Sequence, residues 1–498
     1  MNVNPITRLD YPDPDVIRVE DTYYMVSTTM HFMPGCEILQ SFDLVHWEHV
    51  TYVYETLDHT DAQQLKSGHN IYGQGMWAAS LRYHEGRFYI CFVANDTRKT
   101  YLYTSEKIDG PWKKQLIEGF YHDGSLLFDE DGRNYIVYGN DEIWITELNE
   151  DLTAPKKDGL HRLLVSDHKN PELGYEGSHI QKINGYYYIF LVHSLRDRWM
   201  RTEACFYSDS LEGEFTGGDV LCDDRGYCGQ GVAQGGIVDT PDGKWYAMLF
   251  QDSGAVGRIP ILLPVTWKDH FPVFGQNGHV PEEIEVHSTR PGYIYQPLVG
   301  SDDFCNGLLP RWQFNHDPDP RYYHLDALQG TYTITTREVC TELTQAVNTL
   351  TQRMSYPSCA AEVTVDASAL KEGDVAGLCA LQSCYAAVGI TKHHGKYEVL
   401  MLDKKEDGIL DMTEGTVVES HQMDFRLEAD FCNMKDEARC YYRVNKGDWL
   451  PIGTVHKLYF KLDHFTGCRF GLFCYAAEET GGSACFRDFK YYDVDEIL

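Results

Sequence analysis

The sequence contains no stretch close to the roughly 18–20 consecutive apolar residues that would cross a bilayer as a helix. Its opening, MNVNPITRLDYPD, has no basic segment followed by an apolar run, so a secretory leader is not expected. Cations are scarce: 43 Lys and Arg stand against 75 Asp and Glu, for a net charge of −32 over 498 residues. Such a polyanion repels phosphate and has few cations with which to release counterions, which argues against nucleic acid and against an anionic membrane surface as partners. The 15 Cys form no CxxC pair, and an odd count scattered over a long chain is unlike a disulfide scaffold. They read as reduced thiols in a cytoplasm. There is no P-loop, no GxGxxG ahead of a helix and no HExxH, so phosphoryl, dinucleotide and zinc-hydrolase chemistry have no motif to stand on. The adjacent pair His393 and His394 reads as an exposed turn.

Helical periodicity is nearly absent too. What is present is aromatic and turn-rich: 34 Tyr, 22 Phe and 43 Gly. Short alternating or aromatic runs closed by turn residues mark an all-β chain. Within the first 300 residues one unit recurs: a small apolar strand, a tight turn, then an aromatic strand. It reads VIRVEDTYYMVST from Val16, SLRYHEGRFYICFV from Ser80, SLLFDEDGRNYIVYG from Ser125, HIQKINGYYYIFLV from His179 and GIVDTPDGKWYAMLF from Gly236. The turns fall roughly 45–65 residues apart, in the range of propeller blades. Five units predict a five-bladed β-propeller over 1–299. After the turn-rich stretch VHSTRPGYIYQPLVGSDD the unit disappears, and the remaining β-like segments predict a β-sandwich of jelly-roll, concanavalin-like type over 300–498.

Residues just ahead of each repeat should converge at one mouth of the propeller axis. Counting back three positions gives Asp13, Trp77 and Glu176, and counting back two gives Asp123 and Gln234. Acids before strands are commonly turn caps, but three carboxylates brought together near an axis repel one another, so stability alone does not favour them. Carboxylates around a pocket with aromatics nearby and no cofactor motif suit glycoside hydrolysis, in which one acid protonates the leaving oxygen and another activates water or attacks the sugar. His31, Phe32 and Trp77 are candidate pocket walls, and a core position is an equal reading for Phe32. A carbohydrate-binding propeller without catalysis is the alternative, although it has no need of three intact carboxylates.

The opening NPITRLDYPDPDVIRVEDTYYMVSTT resembles that of glycoside hydrolase family 43, which comprises β-xylosidases and α-L-arabinofuranosidases on a five-bladed propeller. YHDGSLLFDEDG, YEGSHIQKINGYYY, WAASLRYHEGRFYICF and GRIPILLPVTW resemble further family elements. The resemblance implies Asp13 as general base, with Asp15 the weaker choice. It implies Glu176 as general acid and Asp123 as the group that raises that acid's pKa and helps orient it. Trp77 and Arg258 would contact the sugar. The second half resembles the β-sandwich appended to many members. Gln234 stands where many members carry a His near the axis, often beside a cation; its amide can hydrogen-bond or offer a carbonyl oxygen to calcium but cannot titrate. No cofactor is required for the implied chemistry, and a structural calcium ion is an expectation to be tested. The implied activity is inverting and exo-acting, on arabinoxylo-oligosaccharides, with roughly 6.5–9.5 Å between the acid and base carboxyls. The wording of YHDGSLL, AQGGIVDT and NTLTQRM leans towards release of α-L-arabinofuranose, with β-D-xylose release as a side or alternative main activity.

Overall fold

The computed structural model describes residues 2–493, so the last five residues of the expected second domain lie outside the described residues. Five four-stranded antiparallel sheets follow one another along the first half. Their innermost strands are Asp15–Val19, Met76–His84, Ser125–Phe128, Glu176–Ile183 and Val232–Asp239, which define blades 1 to 5. The hairpin after the first strand is tight. In blade 4 it turns on Asn184 and Gly185, both left-handed with φ of 51° and 85°, the residue pair that a type I′ turn favours. The second strands, such as Tyr186–Ser194, are buried along nearly their whole length. Both faces of a blade pack on neighbours, so these strands read as continuous apolar runs and not as alternating ones. Outer strands such as Lys113–Ile117 are mostly exposed.

Each junction between blades has its own apolar cluster. Ile38 and Phe92 share the cluster between blades 1 and 2, Leu102 and Ile136 that between 2 and 3, and Val137 and Leu191 that between 3 and 4. Phe190 and Leu249 belong to the cluster between blades 4 and 5, and Met248 and Leu39 to the one where blade 5 returns to blade 1. The chain entering blade 1 reinforces that closure: the Asn4 amide donates to Leu262 O at 2.7 Å and accepts from Leu262 N at 3.0 Å. The axis is filled by a polar group drawn from several blades. Arg82 donates to Asp15 Oδ2 at 2.8 Å, Leu81 N donates to the same oxygen at 2.7 Å, and His179 Nδ1 lies 3.1 Å from Asp15 Oδ1. Asp15 is therefore committed to the axis and is not free to act as a base.

The second half forms two packed sheets around a core that includes Val363, Val388, Phe425 and Leu472. One strand of this unit comes from the propeller. Phe32–Met33 pairs with Gln313–Asn315 at the edge of the larger sheet, and the Arg469 guanidinium lies 3.4 Å from the centroid of the Phe32 ring. His31 and Phe32 are fully buried at this junction, so neither is the pocket wall expected from the sequence. The loop that follows blade 1's second strand turns outward to join the sandwich instead of lining the axis.

His31 meets two further imidazoles there, His316 at 4.8 Å and His464 at 5.0 Å between ring centroids. Burial holds His31 and His316 well below the usual histidine range and His464 down to about 3. A histidine neutral in the folded chain and near 6.5 when unfolded contributes stability above pH 6.5 that is lost as pH falls. We therefore expect His464→Phe, whatever its cost at pH 8, to gain on the wild type by about 1.4 kcal/mol per pH unit below 6.5. Urea unfolding of both proteins at pH 8, 6.5 and 5.5 measures this, and a constant difference would contradict it.

Candidate active site

A cavity of about 810 Å³ opens at the mouth where the innermost strands begin. Asp13, Trp77, Asp123, Glu176, Gln234 and Arg258 all line it. The backbone explains how they reach it. The ladders of blades 2, 4 and 5 break register between Met76 and Ala79, Glu176 and His179, and Ala233 and Gly236. Each bulge frees the residues it skips from ladder pairing and re-aims side chains there. Trp77 and Gln234 lie inside these bulges, and Glu176 is the last paired residue before its own. In blades 1 and 3 the strand has no bulge, and the acid stands just before it in a left-handed conformation: φ is 52° at Asp13 and 47° at Asp123. Gln234 shares that conformation at 62°. Strain of this kind persists only where the surroundings over-determine it. At Gln234 the surroundings include buried Glu203, whose Oε2 accepts the Gln234 backbone N–H at 2.7 Å and whose carboxyl burial pushes far up.

Asp13 is held by two donors. Arg258 Nη1 lies 3.0 Å from Oδ1 and 3.3 Å from Oδ2, and the Thr28 hydroxyl donates to Oδ2 at 2.6 Å. Arg258 is itself nearly inaccessible. Its guanidinium stacks 4.3 Å from the centroid of Phe465, a residue of the sandwich, and also donates to the Phe465 carbonyl. Asp10 locks this contact by accepting Arg258 N at 2.7 Å and Gly467 N at 2.8 Å. The sandwich thus contributes a wall: Phe460, Leu462, Phe465 and Met434 all line the cavity. Trp77 stands between the two domains, 5.7 Å from Phe465 and 5.8 Å from His122 between centroids.

Glu176 Oε2 accepts the Asn140 amide at 2.7 Å. Asp123 Oδ2 accepts Gly177 N at 3.1 Å, which ties it to the residue after Glu176. A Cβ at Gly177 would stand 2.7 Å from Gln234 Cγ, so only glycine lets these three blades close together. Between the two acids stands His122, with Nε2 3.7 Å from Asp123 Oδ2 and 3.6 Å from Glu176 Oε2. The Asp123 charge, assisted by Glu176 against the effect of burial, raises the His122 imidazole to about 9. Burial raises Asp123 to about 6, with His122 opposing and Glu176 adding to the rise. At neutral pH His122 is therefore an imidazolium beside the Asp123 carboxylate, with the Glu176 carboxyl group on its other side. His122 sits in the YHDGSLL element beside Asp123, yet nothing in the sequence shows that its ring falls between the acids. Asn140, the buried Arg201–Asp252 pair and Phe465 likewise carry no signal of their roles in the sequence.

The axis does not suit a central cation. Both Asp15 oxygens are taken and the Arg82 guanidinium already supplies positive charge there. Among the described residues the one group of three with metal-ligating atoms in mutual reach is His122, Asp123 and Glu176. An ion there would displace the contacts that His122 makes with Asp123 and Glu176.

Residues 3–272 match the family model for glycosyl hydrolases family 43, and residues 301–492 match that for the β-xylosidase C-terminal concanavalin A-like domain. The chain belongs to glycosyl hydrolase family 43. It is a glycoside hydrolase built as a propeller with an appended concanavalin-like sandwich. A β-xylosidase of Formosa agariphila is 26% identical over 99% of this chain and 89% of its own length. A non-reducing-end α-L-arabinofuranosidase of Bacteroides ovatus is 24% identical over 82% of this chain and 79% of its own length. Among solved structures, a bifunctional GH43-CE protein of Bacteroides eggerthii superposes with a TM-score of 0.92 at 42% identity, covering 99% of this chain. This chain spans 64% of the length of that longer protein.

The raised pKa of His122 has a consequence for stability. A histidine held at about 9 when folded and near 6.5 when unfolded contributes stability that is complete below pH 6.5 and lost as pH rises through about 9. The melting temperature of His122→Asn should therefore trail the wild type by a few degrees at pH 6 and converge on it by pH 9.5. Parallel thermal melts at the two pH values provide the check; a gap that widens with pH would contradict the assignment.

Proposed function

We propose that this glycoside hydrolase is exo-acting and inverting, and releases terminal α-L-arabinofuranosyl units from xylan-derived oligosaccharides. The observation that supports the reading is that two carboxyl groups, Asp13 and Glu176, are each held in place in one cavity. Asp13 is clamped by Arg258 and Thr28, while Glu176, oriented by Asn140, approaches from another blade. In this reading Asp13 takes a proton from water as the water attacks the anomeric carbon, and Glu176 gives its proton to the departing oxygen. Asp123 and His122 position Glu176 through Gly177 N and the charge between them. The His122 imidazolium is a further charge beside both Asp123 and Glu176. The sandwich wall made by Phe460 and Phe465 narrows the pocket, which suits a single terminal sugar. Relatives named as xylosidases and as arabinosidases share the fold, so β-D-xylose release is the competing outcome. All 15 cysteines are free, which supports action in a reducing compartment on imported oligosaccharides. Among the described residues no helix is long and apolar enough to cross a membrane.

Asp13→Ala should lower kcat/KM by roughly 10²–10⁴ on every substrate and, because it leaves Arg258 buried without its partner, should also lower the melting temperature while the chain stays folded. Glu176→Ala should lose as much on an oligosaccharide but less on a nitrophenyl glycoside, whose phenolate leaves with little help from an acid. Side-by-side rates on nitrophenyl α-L-arabinofuranoside, nitrophenyl β-D-xylopyranoside and an arabinoxylo-oligosaccharide test this. Faster xylose release would overturn the substrate assignment, and a Glu176→Ala loss equal on aryl and sugar leaving groups would overturn the acid.

A further inference from the structure

Besides the His122 imidazolium, which stands between Asp123 and Glu176, four cationic side chains line the catalytic cavity, and three of these are neutralised within the chain. Arg258 pairs with Asp13, Arg201 with Asp252 at 2.9 Å, and Lys461 with Glu406. Arg98 is different. Among the described residues no carboxylate lies within ion-pair reach of it and no side-chain hydrogen bond engages its guanidinium; its one specific contact is the ring of Phe120, 3.9 Å from guanidinium carbon to centroid. With the guanidinium over that ring and no partner to its N–H groups among the described residues, its donor edge is unused. That edge is the fork which matches a carboxylate with two parallel hydrogen bonds.

The backbone holds this display in place. Arg98 closes the hairpin between Arg87–Ala94 and Lys99–Ser105, and its N–H donates to Ala94 O at 2.9 Å. Its φ is +58°, a region that asparagine or glycine occupies more cheaply. The start of the same turn is pinned by Asn95 N to Gly75 O at 3.0 Å. In a chain of net charge −32, whose pocket already holds Asp13, Asp123 and Glu176, an anionic ligand would otherwise be repelled. An unpaired, pre-oriented arginine at that mouth supplies the compensating charge.

We propose that Arg98 forms a carboxylate-accepting subsite, so that the preferred oligosaccharide carries a uronic acid branch near the sugar that is cleaved. The inference rests on the glycosidase reading above and names the substrate class for it. A rim-exposed charge pair of this kind contributes about 1 kcal/mol, which is roughly a fivefold difference in affinity.

The test is calorimetric binding to Glu176→Gln protein of two arabinoxylo-oligosaccharides of equal length, one bearing a glucuronosyl branch and one not, at low salt. The uronate form should bind about fivefold more tightly. Its methyl ester should bind like the neutral oligosaccharide, 0.5 M salt should erase most of the preference, and Arg98→Gln should abolish it. Equal or weaker binding of the uronate, or a preference that survives Arg98→Gln, would overturn the subsite. Wild-type turnover of the neutral oligosaccharide reports separately on the glycosidase reading: turnover without a uronate preference sinks the subsite alone, and absence of turnover on both sinks the glycosidase reading whatever the calorimetry shows.

Discussion

The buried pair of Arg258 and Asp13 is the contact on which the rest of this architecture turns. Asp13 opens blade 1 and Arg258 belongs to blade 5, so their hydrogen bonds join the first and last blades at the mouth of the cavity. Taking a guanidinium and a carboxylate out of water is expensive, and the expense is offset only where geometry is good and the remaining donors are satisfied. In this pair Thr28 adds a hydroxyl to Asp13, the Phe465 carbonyl accepts from Arg258 and the Phe465 ring covers the guanidinium, while Arg258 Nε is left without a partner. Removing one partner would strand a buried charge. The same contact makes the sandwich part of the cavity, since Phe465 and its neighbours pack on the arginine that holds Asp13.

Charge is handled differently on the acid side. Three carboxylates near one axis would repel, and the chain resolves this with a cation placed between two of them. The His122 imidazolium, Asp123 and Glu176 form one electrostatic unit, with Asp123 further anchored to Gly177 N. Beneath it, Asp15, Arg82 and His179 form a second buried group that knits blades 1, 2 and 4. The acidity of the chain as a whole is thus compensated locally wherever these acids come together.

Much of this was legible in the sequence because propeller blades repeat their local chemistry. The Asn184–Gly185 turn and the aromatic second strands mark the blades, and the acids fall at nearly one phase of the repeat. Trp77 and Gln234 could be placed at the mouth although the bulges that deliver them leave no local signal beyond a shift of one or two residues. His31 and Phe32 could not be placed. Their rings suggested a pocket wall, whereas they serve the sandwich edge and its buried imidazole cluster. Phe465 was invisible for the opposite reason: it reaches the pocket from the other end of the chain, through tertiary docking that no periodicity encodes. His122 lay in plain sight, but its role depends on where one ring nitrogen falls between two carboxylates.

The central claim is a single displacement in which a water activated by Asp13 attacks while Glu176 releases the leaving oxygen. The stereochemistry of the first-formed sugar tests it most directly. Proton NMR during the opening minutes of hydrolysis of an α-L-arabinofuranoside should show β-arabinofuranose appearing first, with the α anomer growing in only by mutarotation. Initial accumulation of the α anomer would mean a covalent double displacement, and would contradict the roles of Asp13 as base and Glu176 as acid.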